Sequence, residues 1–185
     1  MKQLKKFLIF AITTALKFFY KKKYIAGRHF NNSTKGIRWG VRGVLVQKIM
    51  GFNRKVPWPC HHTCTISNIE NITFHIDDLN NFQSPGVYYQ NGLAKIHLAK
   101  GCYIGPNVGL ITSNHQLDNL DSHTQGKEIV INENCWIGMN SVILPGVKLG
   151  KNTIVGAGSV VTKSYLEGNI VIAGNPAKFI KKLHH

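Results

Sequence analysis

Beginning at Leu98, every sixth residue is aliphatic: Leu98, Ile104 and Leu110, then, after a gap, Ile131, Ile137, Ile143, Leu149, Val155 and Val161. All nine positions conform, in a chain where Leu, Ile and Val supply 47 of 185 residues, so composition alone does not make the pattern. Four positions after each come Cys102, Val108, Asn114, Cys135, Ser141, Val147, Thr153, Ser159 and Tyr165, of which seven are small or β-branched. A period of six is neither 3.6 nor 2, so a single amphipathic helix or a simple strand ladder does not account for it. It predicts an all-β solenoid of short strands with a corner every six residues. The aliphatic side chain fills the interior, and Gly105, Gly138, Gly150 and Gly156 ease the corners. Three hexads then make one triangular coil, and successive coils stack about 4.8 Å apart as parallel strands. Leu98–His115, Ile131–Lys148 and Leu149–Leu166 are each one coil, with Ile66 and Ile72 as a weaker lead-in. Residues 116–129 break register and read as a loop thrown out from a corner. After the last coil, Asn175-Pro176 marks the start of a short C-terminal helix over about 176–183.

Charge divides the chain in two. Residues 1–55 carry fourteen Lys/Arg and no Asp or Glu, whereas 56–185 carry nine basic and eight acidic residues. The net charge of +15 therefore belongs to a basic, partly helical N-terminal segment, 1–55, and the domain 56–185 is nearly neutral. No apolar run approaches the ~20 residues that span a bilayer as a helix. Within residues 1–25, Phe7–Phe19 nearly encircles a helix axis with apolar side chains and is flanked by Lys2, Lys5, Lys6, Lys17 and Lys21–Lys23. Such a segment demands burial or a membrane surface. Nucleic-acid binding, which the charge alone would suggest, is not expected, because no recognition module accompanies it.

Four cysteines, Cys60, Cys64, Cys102 and Cys135, follow no secretory signal. Lys17 interrupts the Phe7–Leu16 run, and no small-x-small cleavage site appears. Free thiols in a cytoplasmic setting are the expectation. Cys60-His61-His62-Thr63-Cys64 lacks a second ligand pair at metal-site spacing, so no metal is expected. His184 and His185 are read as a tag remnant without a role.

Ile-Gly-Pro-Asn-Val (104–108), Cys-Trp-Ile-Gly (135–138), Ile-Leu-Pro-Gly-Val (143–147), Gly-Ala-Gly-Ser-Val-Val-Thr-Lys (156–163) and Ala-Gly-Asn-Pro-Ala-Lys (173–178) resemble the hexapeptide-repeat acyltransferases. The resemblance covers roughly 56–183. Val-Pro-Trp-Pro-Cys (56–60), Ser-Pro-Gly (84–86) and Ser-Asn-His (113–115) look most like the O-acetyltransferases of capsule, lipopolysaccharide and exopolysaccharide synthesis. The resemblance implies a left-handed parallel β-helix, an exception to the usual right-handed crossover. It also implies a homotrimer with the active site between neighbouring subunits, and acetyl-CoA as co-substrate with no metal.

Ser-Asn-His followed by a loop looks like the family's catalytic histidine, which makes His115 the expected general base, with Asn114 beside it. A sugar hydroxyl is a poor nucleophile until its proton is removed, and imidazole titrates near working pH. The acceptor oxygen would attack the thioester carbonyl directly in a ternary complex. The base needs an orienting acceptor on its other nitrogen. Asn114, a backbone carbonyl, Asp118, Asp121 and Glu128 are all candidates, since Gln116 stands where many relatives have an acid. Trp136 points out of its coil and either packs at an interface or, as in similar enzymes, borders the acetyl-transfer site. Tyr88, Gln90 and Asn91 are candidate acceptor-binding residues. For the cofactor, backbone at Met139 and Ala157 matches positions that pair with pantetheine amides, and Thr162, Lys163, Lys178 and Lys181 match positions near the nucleotide phosphates. On the expected helix, i, i+3 spacing would put Lys178 and Lys181 on one face.

The expected activity is transfer of acetyl from acetyl-CoA to a hydroxyl of a cell-envelope polysaccharide or its sugar precursor. Two rivals remain on this fold. One is a small-molecule acetyltransferase acting on serine, a simple sugar or a xenobiotic; the other is a zinc carbonic-anhydrase-like protein using His97, His115 and His123. The N-terminal segment either anchors the enzyme peripherally on anionic lipid at the inner face of the cytoplasmic membrane or packs on the trimer.

Overall fold

The hexad aliphatics fold inward on three sheets of short parallel strands. The computed structural model describes residues 2–31 and 33–183, and it divides into two units, Met1–Thr63 and Cys64–His185. The sheets belong to the second unit. In chain order its strands are β1 (Thr65–Ile66), β2 (Ile72–Thr73), β3 (Tyr88–Gln90), β4 (Ile96–Leu98), β5 (Tyr103–Ile104), β6 (Gly109–Ile111) and β7 (Ile129–Ile131). There follow β8 (Trp136–Ile137), β9 (Val142–Ile143), β10 (Lys148–Leu149), β11 (Ile154–Val155), β12 (Val160–Val161), β13 (Ile170–Gly174) and β14 (Ala177–Lys182).

From β4 to β12 the chain visits the three sheets in strict rotation. The first wall is β1-β3-β6-β9-β12, the second β2-β4-β7-β10, and the third β5-β8-β11-β13-β14. Val130 pairs with Lys148, Trp136 with Ile154 and Val142 with Val160, each partner eighteen positions on. One turn of the coil is therefore three hexads. Ile104, Leu110, Ile131, Ile137, Ile143, Leu149, Val155 and Val161 are all buried, as are Cys102, Val108, Cys135, Ser141, Val147, Thr153 and Ser159 from the second column.

The corners are built by two kinds of residue. Gly105, Gly138 and Gly156 are required by proximity rather than by unusual dihedrals: a Cβ on Gly138 would lie 2.6 Å from the Ala157 nitrogen, and one on Gly105 2.7 Å from that of Met139. The left-handed conformation falls on other glycines, among them Gly101, Gly146 and Gly158, and on asparagines, with Asn107, Asn134, Asn140, Asn152 and Asn169 all between φ +51° and +58°. Asparagine tolerates that region better than most residues. Stacked on successive coils, these amides bond to each other, Asn107 Nδ2 to Asn140 Oδ1 at 3.1 Å and Asn152 Nδ2 to Asn169 Oδ1 at 2.7 Å.

Both ends of the coil are closed. In the first turn a 3₁₀ segment, Ile76–Gln83, stands where a third-wall strand would be. Its buried Asn81 donates Nδ2 to the Cys102 carbonyl and accepts the Ile104 N–H, each at 3.0 Å, while Asp78 accepts the Gly101 N–H at 2.7 Å. Two side chains thus supply the hydrogen bonds that a neighbouring strand would give to β5. At the other end the expected helix over 176–183 is instead strand β14, antiparallel to β13. The edge of β13 needs backbone partners, and the Gly174-Asn175-Pro176 turn folds the Ala177–Lys182 segment back to provide them. The loop is shorter than expected, because Ile129 already begins β7 and is buried.

The first unit is helical, with α1 (Lys2–Phe19), a 3₁₀ turn (Lys22–Tyr24), α2 (Arg28–Asn31) and α3 (Lys35–Gly43), which continues as a π-helix over Val44–Ile49. Leu16 meets α3 at Gly40, where a Cβ would lie 2.6 Å away, and Tyr20 donates to the Gly40 carbonyl at 3.2 Å. Buried Gln47 fastens the following loop. Its Nε2 donates to the carbonyls of Asn53, Val56 and Trp58 at 3.1, 3.0 and 3.0 Å, and its Oε1 accepts the Cys60 N–H at 3.1 Å.

All four cysteines are free and buried. Burial raises the Cys102 thiol from its ordinary 9.0 to about 12 and the Cys135 thiol to about 11. The fold favours the protonated form, so this contribution to stability is complete below pH 9 and is lost as pH rises through those values. The urea midpoint should hold between pH 7 and 9 and fall above it, more steeply than in a Cys102→Ala/Cys135→Ala variant. Neither thiol should react with an aromatic disulfide reagent at pH 8 until urea is added.

Candidate active site

His115 stands where the chain leaves the first wall. Gly109 on β6 pairs with Val142 on β9, 33 positions on instead of eighteen, so fifteen residues are extruded without disturbing the ladder. The excursion closes on itself as a small hairpin. Thr124 N–H donates to Asn114 O at 2.8 Å, Gln116 N–H to Ser122 O at 2.9 Å, and Lys127 N–H to Thr112 O at 2.8 Å. His115 and His123 bridge across it, their rings 4.4 Å apart.

The His115 Nδ1 lies 2.6 Å from the Leu120 carbonyl oxygen. A carbonyl only accepts, so Nδ1 carries the proton and Nε2 of the neutral ring keeps its lone pair. Of the orienters left open by the sequence, the backbone carbonyl is the one in contact. Glu128 is engaged elsewhere: its Oε2 lies 3.0 Å from His97 Nε2, and His97 Nδ1 lies 2.9 Å from Thr73 Oγ1 on the outside of the second wall. Among the described residues no group of three His, Cys, Asp or Glu is arranged to hold a metal.

Gln90 fixes the base of the hairpin. Its Oε1 accepts the N–H groups of Thr112 at 2.9 Å and Ser113 at 3.2 Å, and its Nε2 donates to Ser113 Oγ at 2.9 Å. Of the three candidate acceptor residues, Gln90 is thus occupied in holding Ser113-Asn114-His115. Asn91 is a correction to the expectation. It is wholly buried, with Oδ1 accepting the Asn68 N–H at 2.9 Å and Nδ2 donating to the Asn68 carbonyl at 2.7 Å, so no acceptor can reach it. Tyr88 is exposed on β3.

The remaining site residues form two groups. Asn114 and Thr162 line one shallow cavity of about 280 Å³ with Thr124, Gln125, Lys127, Leu144 and Pro145. Lys163 follows β12 at the same edge of the first wall, with its Nζ 5.6 Å from the Tyr165 ring centroid. Trp136, Met139, Ala157, Lys178 and Lys181 belong to the third wall and to the corner where it meets the first. Trp136 and Met139 are half exposed. The Met139 and Ala157 N–H groups meet no acceptor among the described residues, and Pro106, one coil below Met139, has no N–H at all. Lys178 pairs with Ala173 and Lys181 with Val171, because a bulge near Ile180 absorbs one residue. The two lysines therefore share a face, as expected, through a bulged strand and not through a helix. In one chain the two groups lie at opposite edges of the first wall, about 20 Å apart for a hexad of extended chain.

The sequence reading named His123 only as a metal ligand and missed its pairing with His115, and it missed the Leu120 carbonyl and the loop residues of the cavity. The turn formers Asp118-Asn119 and Asp121-Ser122 between two histidines are the signal that would have revealed a hairpin.

Comparison with known proteins agrees with this architecture. The bacterial transferase hexapeptide family (six repeats) matches residues 128–163. Over these repeats the chain is similar to the hexapeptide-repeat transferases. Among its relatives, the galactoside O-acetyltransferase of Lactococcus lactis subsp. lactis is 32% identical over 129 residues, 57% of this chain and 61% of that one. The structure of a maltose O-acetyltransferase from Clostridium difficile 630 superposes with a TM-score of 0.55 at 29% identity, over 66% of this chain and 64% of that one. A hexapeptide-repeat acetyltransferase from Vibrio cholerae O1 biovar eltor, solved with acetyl coenzyme A, gives a TM-score of 0.51 at 31% identity, over 55% and 56%. The chain spans between 30% and 66% of the length of these curated relatives.

Gln90→Leu should remove the acceptor of the Ser113 amide and leave the coil intact, while the Thr112 N–H keeps the Gln90 main-chain carbonyl at 3.0 Å. An unpaired amide costs about 1–3 kcal/mol, so hydrogen exchange at Ser113 should quicken about tenfold or more while Thr112 and β7–β12 keep their protection.

Proposed function

We propose that this protein moves acetyl from acetyl-CoA to a hydroxyl of a cell-envelope polysaccharide, capsule or lipopolysaccharide, or to the sugar precursor of one. The observation that carries the reading is the His115 Nδ1–Leu120 contact, which leaves Nε2 as a base of fixed tautomer at an exposed edge. Nε2 takes the hydroxyl proton as the acceptor oxygen attacks the thioester carbonyl. The carbon–sulfur bond then breaks, and the same nitrogen returns the proton to the leaving thiolate. No acyl-enzyme is needed, since both substrates meet in a ternary complex. The galactoside and maltose acceptors and the acetyl-coenzyme A complex of similar proteins support a sugar hydroxyl and this donor.

The coil is read as a left-handed β-helix that assembles as a homotrimer. The separation of the two groups of site residues supports this: Asn114, His115, Thr162 and Lys163 at one edge of a subunit would face Trp136, Met139, Ala157, Lys178 and Lys181 of the next. There the two unpaired N–H groups suit the amides of the pantetheine arm, and the lysines suit its phosphates.

His115→Ala should keep fold and assembly and lower turnover by about 10²–10⁴, the range for a positioned acid–base group. It should also abolish the pH limb due to imidazole deprotonation. His97→Ala, on the second wall, should cost far less; equal losses in steady-state rates would reject His115 as the base. Light scattering should give three times 20.7 kDa, and a fully active monomer would exclude the intersubunit site.

A further inference from the structure

The N-terminal helix α1 presents two different apolar stripes. Ile9, Ile12, Leu16 and Tyr20 form the inner one, where Leu16 and Tyr20 are buried against the Gly40–Gly43 side of α3. Leu4, Phe7, Ala11 and Phe18, at i, i+3, i+7 and i+14, form the outer one, about half a turn away. Phe7 is 69% and Phe18 87% exposed, and Leu8 and Phe10 on its flanks are exposed as well. Packing therefore consumes one side of the helix and leaves the opposite side bare.

We propose that this outer stripe of α1 docks on an anionic phospholipid bilayer, with the helix lying in the plane of the interface. The residues of the first unit, 1–63, hold fourteen Lys/Arg and no Asp or Glu. A second copy of so basic a surface would be repelled, whereas anionic headgroups complement it. Lys6 stands at one end of the apolar stretch and Lys17 with Lys21–Lys23 at the other, long side chains that reach headgroups while Phe7 and Phe18 enter the acyl boundary. No described helix is long and apolar enough to cross a membrane, so the contact is peripheral. The outer stripe of α3 (Val41, with Leu45 and Ile49 of the π-helix that continues it) is also exposed, but it has Arg38 and Arg42 within it. Of the two stripes, the uncharged one is on α1.

The test is co-sedimentation of the full chain with vesicles of phosphatidylcholine alone or with one-third phosphatidylglycerol, and it does not depend on the acetyl-transfer reading. Binding should be at least about tenfold tighter on the anionic vesicles and should weaken with salt. Phe7→Ser/Phe18→Ser should lower it about tenfold or more, with unchanged far-ultraviolet dichroism, while Val41→Ser/Leu45→Ser should retain it. In a Phe18→Trp variant, anionic vesicles should shift the added fluorescence to the blue. Undiminished binding by the Phe7/Phe18 variant, no binding by the parent chain, or no blue shift would each overturn the proposal. So would a fall in oligomeric mass on substituting Phe7 and Phe18, which would assign the stripe to a partner copy.

Discussion

Every coil of this protein is held to the next at backbone distance, and the corner column Gly105, Gly138 and Gly156 shows how close the approach is. The Ala157 nitrogen would be 2.6 Å from a Cβ on Gly138, nearer than such atoms pack, so the side chain is absent where the coils touch. That approach fixes the parallel register, and the register in turn decides which residue of each hexad is interior. Buried Ile137 therefore alternates with exposed Trp136, and the Met139 and Ala157 amides are stacked in line. The candidate site is built from what the register leaves outside.

A coil with such uniform contacts has vulnerable ends, and this chain closes them by unlike means. At the start, Asn81 and Asp78 imitate a strand with side chains; at the finish, β14 is a real one. The first solution costs little sequence but demands buried amide and carboxylate groups with every partner in place. The second uses exposed residues, four of them lysine or aromatic, and so doubles as a surface.

The interior of the coil was legible in the sequence because an aliphatic residue every sixth position has no other economical explanation. The corners were legible only in part. Glycines attract notice, whereas the left-handed turns made by Asn107, Asn134, Asn140, Asn152 and Asn169 look like ordinary polar residues until the chain is folded. The C-terminal reading failed because Asn-Pro is as good a turn as a helix start, and only the unpaired edge of β13 decides between them. Asn91 was misleading for a related reason: its amide is matched to Asn68, a contact 23 residues distant that no local pattern announces. The motif singled out His115 as a candidate, but not the Leu120 carbonyl in contact with it, since a main-chain atom leaves no trace in sequence.

Because Gly109 and Val142 pair across the extruded segment as if it were absent, the hairpin bearing His115 contributes no rung to the scaffold. Its length and side chains are consequently free of the periodicity that governs every other part of the coil. A solenoid of this kind separates two evolutionary problems: the repeat must conserve spacing, while the excursion can be lengthened, shortened or exchanged to admit a different partner molecule. Diversity of specificity on a monotonous frame is what that decoupling permits.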